Sequence, residues 1–208
     1  MTSNPDAAEL GAPADLALRL KLIPLGDTVR GYFFHCALEQ VRLLGDEEAL
    51  RRCREAGGLE SPMRFFKYPI SGFVRLLYEA ARALTDSAGS FEEAMRQLGR
   101  HVATEFLGSP VGKTMLLLAG DNLQRLADSL PMVYRTGWGH GVGEVAWTGF
   151  SSCRTSIHGN VIPFPYFEGI FLEVFQAAGA THLKVAGRQV GPADTEYELS
   201  WELRNLPR

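Results

Sequence analysis

Residues Pro131 to Arg154 read PMVYRTGWGHGVGEVAWTGFSSCR, and this stretch divides the chain. Upstream of it apolar residues recur three and four apart. Within it Gly137, Gly139, Gly141, Gly143 and Gly149 alternate with Tyr134, Trp138, Trp147 and Phe150, a texture of turns and strands. Glu144 to Phe150 and Ser152 to Ile157 read as two short strands joined near Gly149.

Working back from this junction, the spacing predicts six helical segments before Pro131. One follows Thr28 through Val29, Phe33, Cys36, Val41 and Leu44 to Gly45, and another runs from Asp46 as cap to Gly57-Gly58. A third carries Ile70, Val74, Leu77 and Leu84. The fourth opens on the capping box Ser90-Phe91-Glu92-Glu93 and buries Ala94, Leu98, Val102 and Phe106. Pro110 starts a fifth, and Asp121 caps a sixth through Leu123, Leu126 and Leu130 that Pro131 ends or kinks.

Working forward, Val161 to Pro165 reads as an extended connector, because proline disfavours helix just before it. Phe167, Ile170, Phe171, Val174 and Phe175 then give one more helix, closed by Gly179. A strand from His182 to Ala186 turns near Gly187 or Gly191-Pro192 into Thr195 to Leu203. There Tyr197, Leu199, Trp201 and Leu203 alternate with Glu196, Glu198, Ser200 and Glu202, the pattern of an antiparallel strand with one wet face. The fold class is therefore α+β: a helical part to about residue 131, then a small antiparallel sheet crossed by one helix, in a single domain from residue 16 after a disordered start at 1–15.

Composition narrows the function. The 208 residues carry a net charge of −3, which excludes a basic nucleic-acid arm. The 22 glycines and 11 prolines exceed the roughly 12% usual for soluble domains, and the glycines concentrate at the junction. Cys36, Cys53 and Cys153 are too few for a disulfide framework, which suits the cytoplasm. No apolar run approaches the ~20 residues of a transmembrane helix, and residues 1–15 lack the basic and apolar regions of a signal peptide.

Motifs of catalysis are missing. Gly108-Ser109-Pro110-Val111-Gly112-Lys113-Thr114 has three residues between its glycines where a phosphate loop needs four, and lies between helices. Gly137 to Gly143 lacks the third glycine of a dinucleotide loop. The histidines His35, His101, His140, His158 and His182 have no metal-site spacing, and no serine elbow is present. What remains is a trio. Strand alternation puts Phe150, Ser152 and Arg154 on one face, where an aromatic plate, a hydroxyl and a guanidinium suit a carboxylate or phosphate on an apolar body. Tyr134, Trp138 and His140 in the preceding loop complete the candidate ligand set.

Gly31-Tyr32-Phe33-Phe34, Tyr68-Pro69, Leu98-Gly99-Arg100, Pro110-Val111-Gly112-Lys113, Leu130-Pro131 and Glu196-Tyr197-Glu198-Leu199-Ser200-Trp201 together resemble a paralogous domain family of unknown function expanded in myxobacteria, over most of the chain after residue 28. The order of elements is also similar to the haem nitric-oxide-binding sensors and the related vinyl-reductase-like and vesicle-tethering domains. That resemblance implies a small-ligand sensor. In the haem sensors a Tyr-x-Ser-x-Arg motif grips the haem propionates; here Phe150, Ser152 and Arg154 match it with phenylalanine in place of tyrosine. The helix that would carry the proximal histidine ends at Leu130-Pro131, so His140 would have to substitute. The leading expectation is a non-catalytic sensor or adaptor that holds a small apolar molecule, acidic where Arg154 would meet it, and signals to a protein partner. The rivals are a structural interaction module or homodimer without ligand, an enzyme that would need Glu144 or His140 as its acid or base, and a haem-binding gas sensor; the cofactor stays unknown.

Overall fold

A computed structural model of the chain describes residues 9–120, 122–138 and 141–202. It begins with a helix that the periodicity does not announce, α1 (Pro13–Leu22), with proline in its first turn. This helix begins inside the 1–15 stretch expected to be disordered. Asp15 and Arg19, one helical turn apart, pair at 2.9 Å with side chains 8% and 5% exposed. Tyr78 donates its hydroxyl proton to Asp15, while Arg19 reaches the Val161 carbonyl and the Gln189 side chain. A buried charge persists only when so surrounded, and these partners hold α1 down.

The next helix also starts later than the spacing implies, because Thr28–Arg30 forms strand β1 and α2 spans Gly31–Leu44. After α3 (Glu47–Gly57), strand β2 (Lys67–Pro69) pairs with β1 in antiparallel register, Val29 opposite Tyr68. Then come α4 (Ile70–Ala88), α5 (Phe91–Gly108), α6 (Pro110–Ala119) and α7 (Leu123–Gly137). The caps follow chemistry: Asp46, Ser90, Ser109 and Asn122 side chains each accept from a backbone N–H three residues on. Two details differ from the sequence reading. The Glu93 carboxylate is taken by Arg96 instead of closing a reciprocal box. Asn122 caps α7, and Asp121 lies outside the described residues.

Pro131 does not end α7. Its ring removes one backbone bond, a penalty of about 3 kcal/mol. Leu126, Ala127, Leu130, Tyr134 and Trp138 nevertheless form a continuous buried stripe, which offsets the lost bond, and the helix continues to Gly137. The helical part thus extends past residue 131.

The remaining elements are β3 (Val142–Gly149), β4 (Ser152–His158), α8 (Phe164–Ala177), β5 (Thr181–Gly191) and β6 (Asp194–Glu202). The strands form one antiparallel sheet in the order β3-β4-β6-β5. Its last hairpin turns at Pro192-Ala193, so Gly187 lies within β5, and Leu203 falls outside the described residues. Alternation holds: Thr195, Tyr197, Leu199 and Trp201 are buried, while Glu198 and Glu202 face water. The α+β class read from the sequence is what the structure shows.

α8 crosses the inner face of this sheet and packs on α5 at main-chain contact. A Cβ on Gly99 would stand 1.9 Å from the Tyr166 carbonyl oxygen, and one on Gly169 would stand 2.0 Å from that of Arg96. Glu168, 4% exposed, is satisfied by Arg96 at 2.7 Å and by the Gly187 backbone N–H at 2.6 Å. Helical layer and sheet are thereby joined through one carboxylate.

Candidate functional site

The space between the layers is filled by aromatic rings. Trp138 lies 4.4 Å from Phe33 between ring centroids, 5.7 Å from Phe73 and 5.6 Å from Phe167. Phe167 in turn contacts Tyr134 and Tyr197. Tyr134, Trp138, Tyr166 and Phe167 are all buried, and burial pushes the Tyr134 phenol well above its ordinary range. Its hydroxyl has no hydrogen-bond partner among the described residues.

The other candidates sit elsewhere. Strand alternation turns Ser152 and Arg154 to the outer face of the sheet, opposite buried Cys153 and Thr155. Arg154 donates to Glu198 across the β4–β6 pair at 2.6 Å, and Ser152 accepts from Thr148 at 3.1 Å. Phe150 occupies the β3–β4 turn and is 77% exposed. His140 lies outside the described residues. The trio thus shares no lining: Phe150 borders a groove, whereas Ser152 and Arg154 belong to a solvated face with Glu198.

That groove, with a volume of ≈ 540 Å³, runs between the end of α6, the start of α7 and the sheet. Leu117, Leu118 and Leu123 form one wall, Phe150 and Trp201 the other, and Arg125 stands at its border. The walls are fixed to each other. Gln124 donates to the Phe150 carbonyl at 2.9 Å, and the Trp147 indole donates to Asp128 at 3.0 Å. Among the described residues the buried Trp201 indole N–H has no hydrogen-bond partner and the Arg125 guanidinium makes no ion pair. An apolar trough bordered by a cation that has no ion-pair partner among the described residues can take an apolar molecule bearing an anionic group.

Sequence reasoning missed this site because α6 and α7 each look like ordinary amphipathic helices. The one available signal was Met115-Leu116-Leu117-Leu118, four consecutive apolar residues on a helix that cannot bury all its faces. Leu117 and Leu118 are 80% and 74% exposed. No group of three or more metal-ligating side chains occurs among the described residues, and none of their helices is long and apolar enough to cross a membrane.

The overall arrangement is that of the H-NOX domains. A single-residue mutant of the Fe(II) unliganded H-NOX protein from K. algicida superposes with a TM-score of 0.68 at 13% identity, over 85% of this chain and 98% of that one. A mutant H-NOX from T. tengcongensis gives 0.64 at 12%, over 83% and 97%. An oxygen-binding H-NOX domain related to soluble guanylate cyclases, in its oxygen complex, gives 0.58 at 12%, over 85% and 95%. Such likeness defines the fold. In sequence, residues 23–202 match the family described as "Protein of unknown function (DUF2378)", and the chain belongs to that family. None of the curated proteins matches it.

The described residues do not fit a haem. The rings of Phe73, Trp138, Tyr166 and Phe167 occupy the interior where a flat macrocycle would have to lie. Among the described residues no histidine enters that interior to serve as an axial ligand: His35 and His101 are half-buried on α2 and α5, and His158 and His182 are exposed.

Proposed function

We propose that this protein is a non-catalytic sensor or adaptor domain, acting in the cytoplasm, whose ligand is a small apolar molecule with an acidic group. It binds in the groove between α6, α7 and the β3–β4 turn. The observation that carries the reading is the meeting of Leu117, Leu118, Phe150 and Trp201 with Arg125, which makes no ion pair among the described residues, in a trough of ≈ 540 Å³, within the usual size of small-molecule sites. The shared fold with H-NOX domains supports a sensing role. Because Gln124 and Asp128 of α7 bond to the β3–β4 hairpin, a ligand wedged between them would shift helix against sheet.

Dodecanoate, an apolar carboxylate, is a suitable probe, with binding followed by calorimetry and retained mass by native mass spectrometry. Arg125→Ala is expected to weaken binding roughly tenfold or more, the worth of a charge-assisted hydrogen bond. Arg154→Ala, on the outer face, is expected to leave it unchanged. Equal affinity in wild type and in folded Arg125→Ala and Phe150→Ala proteins refutes this site.

A second reading, a surface for a protein partner or a second copy, is favoured by the exposure of Leu117 and Leu118. It predicts concentration-dependent assembly in sedimentation velocity that Leu117→Ser abolishes.

A further inference from the structure

On a different part of the molecule, the turn between α3 and β2 presents Met63, Phe65 and Phe66 to solvent at 56%, 86% and 58% exposure. Adjacent exposed phenylalanines on a rigid turn call for an explanation. The turn is held by main-chain bonds. Gly31 donates to the Phe66 carbonyl at 2.7 Å, Tyr32 to that of Arg64 at 2.9 Å, and Phe66 to that of Met63 at 3.2 Å. The Met63 amide donates to the Tyr68 hydroxyl at 3.0 Å. Gly31 is required here, since a Cβ on it would lie 2.2 Å from the Met63 carbonyl oxygen. The backbone of the turn is therefore pinned, with both phenylalanines exposed.

Three cations adjoin the turn in sequence or in strand register. Arg64 precedes Phe65 and Lys67 follows Phe66, and Arg30 is the register partner of Lys67 across the β1–β2 ribbon. Among the described residues neither Arg30 nor Lys67 makes an ion pair. Arg64 donates to the Nε2 atom of His35 at 2.5 Å. Burial, then the Arg64 charge, lowers the pKa of His35, and the neutral ring accepts this bond without cancelling the charge; among the described residues Arg64 makes no ion pair. Glu60 is the acidic residue of the same loop, and Glu39 and Glu105 act on His35 from the helical side.

We propose that the Met63–Lys67 turn is a docking element for an anionic lipid surface, with Phe65 and Phe66 entering the headgroup–acyl boundary and Arg30, Arg64 and Lys67 facing the headgroups. Aromatic rings prefer that boundary, basic side chains beside them gain from acidic lipids, and the pairing of both on one fixed turn is what such a surface recognises. The contact would hold a domain with no membrane-crossing helix among its described residues at a bilayer reversibly.

The test is co-sedimentation of the full chain with phosphatidylcholine vesicles with and without about a third phosphatidylglycerol. Binding is expected only to the anionic vesicles and to weaken with salt. Replacing both phenylalanines (Phe65→Ser with Phe66→Ser) should reduce partitioning about tenfold or more, with an unchanged melting temperature because the rings are already in water. Arg30→Glu with Lys67→Glu should reduce it roughly fivefold per charge or more. Leu117→Ser should have no effect. A Phe65→Trp protein should show quenching by brominated acyl chains on addition of vesicles. Absence of sedimentation with anionic vesicles overturns the proposal and leaves the turn to a protein partner. Sedimentation that survives loss of both phenylalanines also overturns it, as adsorption by charge alone.

Discussion

Gly99→Ala adds a single methyl group at the tightest helix crossing of the molecule. The new Cβ would lie 1.9 Å from the Tyr166 carbonyl oxygen, 2.8 Å from its carbon and 3.2 Å from its Cα, so the obstacle is main chain on both sides. No rotamer change relieves such a contact, and Gly169 faces Arg96 just as closely from the opposite direction. α5 and α8 must part by roughly 1 Å, which forfeits a quarter to a half of the dispersion energy of the atoms along the seam. Overpacking of this kind costs about 3 kcal/mol, and the better helix propensity of alanine returns roughly 1 kcal/mol. The net loss of about 2 kcal/mol should lower the melting temperature by roughly 4–8 °C for a domain of this size. Thermal unfolding by circular dichroism measures it. Gly108→Ala is the matched control on the same helix, where no atom lies within 4 Å of the added Cβ and propensity alone acts. A Gly99→Ala protein that melts at or above wild type, or below which Gly108→Ala falls, refutes the close-packed reading of the crossing.

Arg19→Met should strand the Asp15 carboxylate in the interior and destabilise by about 3–5 kcal/mol in urea titrations, whereas adding Asp15→Leu should recover part of that loss. Burial pushes the Cys36 and Cys53 thiols up to about 12 and Cys153 to about 11, so a disulfide reagent at pH 8 should label all three only after denaturation. Because these raised values mean the folded state holds its thiol protons more tightly, their contribution is full below about pH 9 and fades from there towards 12. Urea midpoints should therefore fall between about pH 9 and 11. Titration with haem should give no stoichiometric Soret band; a saturable one at one equivalent would refute the ring-filled interior.

What the sequence made legible were elements with their own period and their own stop signal: α3 between Asp46 and Gly58, α5 behind Ser90, and β6 with its alternating Tyr197, Leu199 and Trp201. α1 escaped because its stability comes from Asp15 and Arg19 meeting Tyr78, Val161 and Gln189, partners no local window contains. Pro131 misled because a local helix-breaking rule was outweighed by the tertiary stripe from Leu126 to Trp138. The groove was unreadable for a related reason: Phe150 and Trp201 enter it from strand ends distant in sequence from Leu117 and Arg125. Alternation did correctly put Ser152 and Arg154 on one face, but could not say that the face was the wet one.

The reach of Arg19 has a bearing on how the protein is made. Its partners lie 142 and 170 positions further along the chain. At a synthesis rate of about 5–20 residues per second, roughly ten to thirty seconds separate the emergence of this guanidinium from that of Gln189. Through most of that interval Arg19 has Asp15, one helical turn away, but neither of its distant acceptors. Its docking is then completed only once β5 has emerged, and a ribosome stalled before β5 would carry a helical layer whose first segment is still accessible to chaperones and proteases.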